Sequence, residues 1–424
     1  MSEQYIPRLV DKQLDAYLST FGAVSVEGPK WCGKTTTASQ HARSQTNMAD
    51  PTGGYQARRL ATLEPLLALQ GDRPRLIDEW QEAPSIWDAV RYQVDSDGRR
   101  GAFILTGSAT PRKGFQPSHS GAGRIGRLRM STMTLQELGI STGSISLAGL
   151  FDGEHYAAAS SMTLSDVARQ VCRGGWPGVM GLDDSQAMRV ARSYVDAVAE
   201  TDLSAVDGTD RDSDKVRKLL QSLARNEGSL ATLKTLVRDT SPTEETDEVS
   251  LSAVTDYLAA LGRMYYTDDV PAWDPALKSP VRMRTAAKRH LADPSLAVAA
   301  LGSDPQALLA DLKYLGNLFE SLALHDLKVY ARNCDAQVFH YHDSTDFEVD
   351  AIVQRRNGDW MPIEIKLGID QEDDGAASVI RLANKMVERG EREPAALVVI
   401  VGVGAVGHMR SDGVQIVPLD VLGA

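Results

Sequence analysis

Two stretches of this 424-residue chain carry side chains whose types and spacing could do chemistry. The first is Gly28-Pro29-Lys30-Trp31-Cys32-Gly33-Lys34-Thr35-Thr36, which fits G-x-x-x-x-G-K-[ST]. Glycines there let the backbone turn so that successive N–H groups converge on a phosphate at the start of a helix. In that arrangement Lys34 reaches the β- and γ-phosphates of a nucleotide, and the Thr35 hydroxyl completes the shell of a Mg²⁺ ion. The flanks supply the setting: residues 22–27 read as a short buried strand, and residues 35–43 can open a helix. Downstream, an apolar strand over 75–80 carries Asp78 and Glu79, the first expected to hold the metal through water and the second to serve as general base. Thr106 and Ser108 end the next apolar run as candidate γ-phosphate sensors, with an ordinary turn as the alternative. Arg124 and Arg127, in a glycine-containing segment, are candidate arginine fingers in cis or from a neighbouring subunit; a basic surface loop is the alternative.

The second stretch lies near the C-terminus. In residues 346–353, Asp346, Glu348 and Asp350 alternate with Phe347, Val349 and Ala351, so a strand would project the carboxylates together. In residues 362–368, Glu364 and Lys366 alternate in the same way with Ile363, Ile365 and Leu367. Two adjacent strands would gather Asp350, Glu364 and Lys366, an arrangement in which carboxylates hold Mg²⁺ and a lysine orients water against a phosphodiester. Asp350 and Glu364 are the expected metal ligands, and Glu320, on a helix before these strands, is a candidate further carboxylate. A salt-bridged strand pair facing water is the alternative.

The elements that must position these residues follow from the rest of the pattern. Leu9, Leu14 and Leu18 mark a leading helix, and Leu60, Leu63, Leu66, Leu67 and Leu69 a second. Residues 157–207 read as helical, broken by a Gly/Pro cluster over 172–178 with Trp176 as its anchor. A polar run over 207–214 marks a boundary. Residues 215–273 alternate three helical faces with turns and end in a strand over 264–270, a plan compatible with a winged helix. Glu244, Glu245, Asp247 and Glu248 make that module acidic, which favours a structural over a DNA-reading role. The length predicts two to four domains. A net charge of -12 gives no global attraction to nucleic acid, so any such contact needs a local basic patch. No apolar window spans a membrane and no leader pattern opens the chain, so a cytoplasmic location and no membrane partner are expected. The three cysteines, Cys32, Cys172 and Cys334, are too dispersed for a zinc knuckle or a disulfide framework.

The P-loop, Leu76-Ile77-Asp78-Glu79, Leu105-Thr106-Gly107-Ser108, Gly123-Arg124, Glu348-Val349-Asp350 and Ile363-Glu364-Ile365-Lys366, in that order, resemble the bacterial and archaeal AAA-type (AAA_14-like) ATPases that carry a C-terminal DUF4143 domain. The resemblance implies an α/β chain in three parts. These are an AAA-like P-loop ATPase core with helical extension over 1–207, a winged-helix-like middle over 208–275, and over 276–424 a DUF4143 domain resembling PD-(D/E)xK, or restriction-endonuclease-like, nucleases. It implies that Lys34 and Thr35 bind ATP and Mg²⁺, that Asp78 and Glu79 act in hydrolysis, and that Asp350, Glu364 and Lys366 occupy nuclease-like positions. The expected function is a Mg-dependent ATPase whose nucleotide state controls the C-terminal domain acting on DNA or RNA. A nucleotide-switched scaffold, with that fold inactive and a homo-oligomeric or protein partner, is the alternative.

Overall fold

A buried five-residue strand, β1 (Ala23–Glu27), is the axis of the N-terminal module. The computed structural model describes residues 5–108, 120–241, 249–275 and 285–424; the acidic residues Glu244, Glu245, Asp247 and Glu248 lie outside them. Strands β2 (Ser44–Asn47), β3 (Arg75–Asp78), β4 (Phe103–Gly107) and β5 (Ile125–Arg129) complete a parallel sheet in the order β2-β3-β4-β1-β5. The two central strands, β1 and β4, are buried almost throughout, because helices cover both faces. The leading helix, Val10–Thr20, buries Val10 and Leu14 against one face, and the Ser85–Asp97 helix packs Ile86, Trp87 and Val90 on the other.

Two expectations for this module change. The leucine-marked segment is two helices, Thr52–Leu63 and Pro65–Ala68, whose Leu60, Leu63, Leu66 and Leu67 are exposed; only Leu69 is buried. The arginine segment is the edge strand β5 and not a loop, because Ile125 and Leu128 pack inward.

After β5 the chain enters the rest of the molecule. Short strands β6 (Ile145–Ser146) and β7 (Ala158–Ala159) pair with strands from the C-terminus, and one hydrophobic core runs from Leu135 to Leu422. Helices Leu164–Arg173 and Asp184–Ala197 open on complete capping boxes, from Thr163 with Asp166 and Asp183 with Gln186. Trp176 is buried between them and donates from Nε1 to Ser295 Oγ at 2.9 Å. Helices Ser213–Arg225, Leu233–Thr240 and Leu251–Arg263 follow, each capped by a Ser, Thr or Asp side chain.

The expected strand over 264–270 is an extended ribbon. It makes antiparallel bridges from Thr267 to Leu291 and from Val270 to Lys288, and its continuation at Ala272 pairs with His340.

The C-terminal sheet comprises β8 (Ala336–His342), β9 (Glu348–Arg355), β10 (Trp360–Gly368), β11 (Leu397–Val403), β12 (Val406–Met409) and β13 (Val414–Pro418), with β7 at its far edge, in the order β7-β12-β13-β11-β10-β9-β8. The last strand, β14 (Leu422–Gly423), pairs with β6. Period-two alternation sends Ala351, Val353, Ile363 and Ile365 toward the core of the Leu312–Asn333 helix, while Ile352 and Trp360 join Leu382 and Met386 of the Glu372–Glu388 helix. Among the described residues no helix is long and apolar enough to cross a membrane.

Candidate functional site

The phosphate loop leaves β1 at Gly28, where a Cβ would stand 2.1 Å from the Met130 carbonyl oxygen, so only glycine fits. Gly33 takes φ 99° and hands the chain to the Lys34–Gln40 helix. Lys34 Nζ donates to the carbonyls of Gly28 at 3.0 Å and Pro29 at 2.7 Å, which holds its ammonium over the loop. Because β4 lies between β1 and β3, the tips of all three strands meet at one end of the sheet. There the Thr35 hydroxyl donates to Asp78 Oδ1 at 2.8 Å, Thr106 donates to the same oxygen at 2.5 Å, and Asn47 Nδ2 reaches Oδ2 at 3.1 Å. Glu79 follows in the left-handed region at φ 52°, unusual for a residue with a Cβ, and its carboxylate accepts from Gln81 Nε2 and, at 3.4 Å, from Ser108 Oγ. Thr106 and Ser108 are thus turned onto the two carboxylates. A hydroxyl and a carboxylate already in contact at the loop form the hard oxygen pair that suits Mg²⁺.

The arginines are placed differently from the expectation. Ile125 stands beside Ala23 and Arg129 beside Glu27, so Arg124 lies at the end of the sheet away from the loop, with Nε on Asp95 at 2.8 Å. It does not serve its own phosphate site. Arg127 stacks on the Trp87 ring and approaches Glu27 at 3.6 Å.

Partners that sequence reasoning missed hold the loop to the rest of the molecule. Lys30 pairs with Asp202 at 2.7 Å, and the Trp31 ring lies 5.8 Å from that of Tyr194, which in turn meets Tyr266 at 6.0 Å. Buried Arg8 donates to the Cys32 carbonyl at 2.8 Å. Glu27, the last residue of β1, accepts a 2.8 Å hydrogen bond from the Tyr265 hydroxyl. Three residues on, burial opposes ionisation of Asp268, but Lys328, Arg129 and Arg332 outweigh it and hold that carboxyl well below its ordinary range.

The second cluster does assemble. Strands β9 and β10 are antiparallel neighbours with Ala351 opposite Ile363, and Asp350 accepts from the Ile365 N–H at 2.8 Å. Lys366 Nζ lies 2.5 Å from Glu364 Oε2 and 3.7 Å from Asp350 Oδ2. Glu320, from the Leu312–Asn333 helix, joins through an unforeseen residue: buried Lys288, whose Nζ stands 2.6 Å from Glu320, 2.5 Å from Glu348 and 3.8 Å from Asp350. Burial and the Asp350 charge push the Glu320 and Glu364 carboxyls up. Burial opposes the charge on Asp350, yet Lys288 and Lys366 keep it ionised. Glu320, Asp350 and Lys366 line a cleft of about 680 Å³ with Gly316, Asn317 and Gln371.

Asp350 and Glu364, expected as metal ligands, are each turned onto a lysine. Among the described residues no group of three His, Cys, Asp or Glu side chains could hold a metal ion. Lys366 thus occupies carboxylate oxygens that a divalent cation would have to share. Asp346 lies outside β9, at φ 62°, and pairs with His342 at 3.0 Å, away from the cluster.

Residues 20–139 match the family model described as an AAA domain, 315–422 the domain of unknown function DUF4143, and 164–307 a further domain of unknown function, DUF8612. An uncharacterized protein of Mycobacterium tuberculosis is 26% identical over 336 residues, covering 78% of this chain and 67% of its own length, and one of Mycobacterium bovis matches to the same extent. Among solved structures, a Walker-type ATPase of Pyrococcus abyssi aligns at 12% identity over 70% of this chain and 97% of its own, with a TM-score of 0.43. The ORC2 protein of Aeropyrum pernix aligns at 12% identity over 73% and 98%, with a TM-score of 0.32.

Proposed function

We propose that this chain, an AAA-type ATPase that ends in a DUF4143 domain, uses the nucleotide state of its P-loop to control the C-terminal cluster, and that the cluster recognises a partner instead of cleaving it. One observation carries the coupling. The ribbon Tyr265–Trp273 is hydrogen-bonded at one end to Glu27 beside the P-loop and pairs along its length with Lys288 and then with His340 of β8.

At the N-terminal site Lys34, released from the Gly28 and Pro29 carbonyls, pairs with the nucleotide's phosphates. Thr35 and Asp78 would hold Mg²⁺, which would neutralise phosphate charge. Glu79 polarises the attacking water, with Gln81 and Ser108 fixing its carboxylate. Arg124, half-exposed at the far end of β5, would act on a second copy of the chain, a reading supported by its distance from its own loop. The three helices and the paired ribbon support the winged-helix reading of the middle, and the pairing of Asp350 and Glu364 with Lys366 supports recognition by the C-terminal domain. DNA or RNA and a protein surface are the partner classes to test.

Lys34→Ala should abolish ATP binding, and Glu79→Gln should bind ATP but turn it over at least about 100-fold more slowly. Hydrogen exchange in wild type should show residues 286–291, β9 and β10 responding to a non-hydrolysable ATP analogue. A Lys34→Ala protein with parental turnover removes the ATPase site from the loop, and unchanged exchange in the C-terminal strands removes the coupling.

A further inference from the structure

We propose that Lys288 is the resident cation of the C-terminal carboxylate cluster and that it excludes divalent metal from that site. The inference deepens the recognition role assigned above and rests on it.

Three carboxylates, Glu320, Glu348 and Asp350, come from a helix and a strand, and a single ammonium lies within 4 Å of all three. Lys288 is only 4% exposed, so its charge has no recourse to water and depends on those partners. Its backbone is fixed as firmly as its side chain. The Lys288 N–H donates to the Val270 carbonyl at 2.9 Å and its carbonyl accepts from the Val270 N–H at 2.9 Å. One residue further, Arg289 pairs with Asp269 at 2.7 Å and its N–H donates to the Ser229 carbonyl at 2.8 Å. The ammonium is therefore delivered by a braced ribbon and not by a long, free side chain.

A divalent cation drawn to Glu320, Glu348 and Asp350 would have to share that space with a buried positive charge. Two like charges at such a separation repel more strongly in a poorly solvated site than in water. Lys366 makes the same claim on Asp350 and Glu364. The four carboxylates are thus neutralised in part by two lysines, and the metal-free state is the built state. Lys366 is at the position the endonuclease-like pattern provides for, whereas Lys288 belongs to no part of that pattern and turns a metal-ligand array into an internal ion-pair network.

The test is direct Mn²⁺ binding, read by electron paramagnetic resonance on the full chain without nucleotide. Wild type should show no stoichiometric Mn²⁺ site that Asp350→Asn removes. Lys288→Met should gain one site per chain, and Lys288→Met with Asp350→Asn should lose it again. Lys288→Gln, which retains a polar head, repeats the test should the methionine variant fail to fold. A stoichiometric, Asp350-dependent site in wild type overturns the proposal, and so does a folded Lys288 variant that gains none. Binding of fluorescein-labelled single-stranded DNA and RNA, measured in excess chelator, separates this outcome from the recognition role: binding that chelator abolishes removes the recognition role without metal, whatever Lys288 does to Mn²⁺.

Discussion

Glu227 shows how one side chain records its surroundings. It is buried, and both of its carboxylate oxygens lie within reach of the Leu291 N–H, at 3.1 and 3.2 Å. Burial raises its pKa to about 7; the Leu291 N–H, Ser321 and Lys328 oppose that shift, and Asp293 adds to it. Neighbouring His290, also buried, is held well below its usual range and stays neutral. The fold favours the protonated Glu227. Its contribution is complete below the carboxyl's ordinary pKa and is lost as pH rises through about 7. Glu227→Gln should remove that loss: relative to wild type, the variant should gain on the order of 2 kcal/mol of stability between pH 5 and pH 8, read from urea midpoints. A constant difference across that range would show that Glu227 is ionised in the fold.

At the scale of elements, the loop over 172–178 is held by one large side chain. Trp176 is 1% exposed, meets Tyr194 edge-on at 5.1 Å and donates to Ser295. Trp176→Ala should cost about 3–5 kcal/mol in chemical denaturation, through the cavity and the lost hydrogen bond to Ser295 together. Trp176→Phe, which refills most of the volume, should recover more than half. That anchor was legible because glycines and a proline around a lone tryptophan leave few other readings. Strand β5 was not legible: Gly123, Arg124, Gly126, Arg127 and Arg129 have the composition of a loop, and only pairing with β1 makes the segment a strand. The same cause misplaced Arg124, since a finger role depends on which end of the strand it occupies. The exposed leucines of the Thr52–Leu63 and Pro65–Ala68 helices failed for the opposite reason. Helical spacing was present, but among the described residues no neighbouring element covers that face.

Across the whole molecule, each site was legible where its chemistry is local in sequence and hidden where it is assembled. Lys34, Thr35 and Asp78 announce themselves through a loop and a strand end, and Glu364 and Lys366 through alternation. Lys288 could not be found that way, because its partners come from a helix and a strand far along the chain. The ribbon that fixes it was visible only as a short strand of uncertain use. That ribbon is also a continuous structural route between the two sites. Tyr265, at φ 58°, donates its hydroxyl to Glu27, and Arg129 stacks over its ring at 4.8 Å. Burial and the Glu27 carboxylate raise the Tyr265 pKa, so the phenol remains a donor at neutral pH. Tyr265→Phe removes that one hydrogen bond and keeps the ring on Arg129. The variant should bind ATP within about threefold of wild type, since no phosphate-loop group is touched, a shift below about 1 kcal/mol. Yet nucleotide should no longer change hydrogen exchange at residues 286–291 or along β9 and β10. If the variant responds to nucleotide as wild type does, the signal does not pass through Glu27. The Lys30–Asp202 pair and the Trp31–Tyr194–Tyr266 ring contacts would then be the route, with Trp31→Ala as the variant that interrupts it.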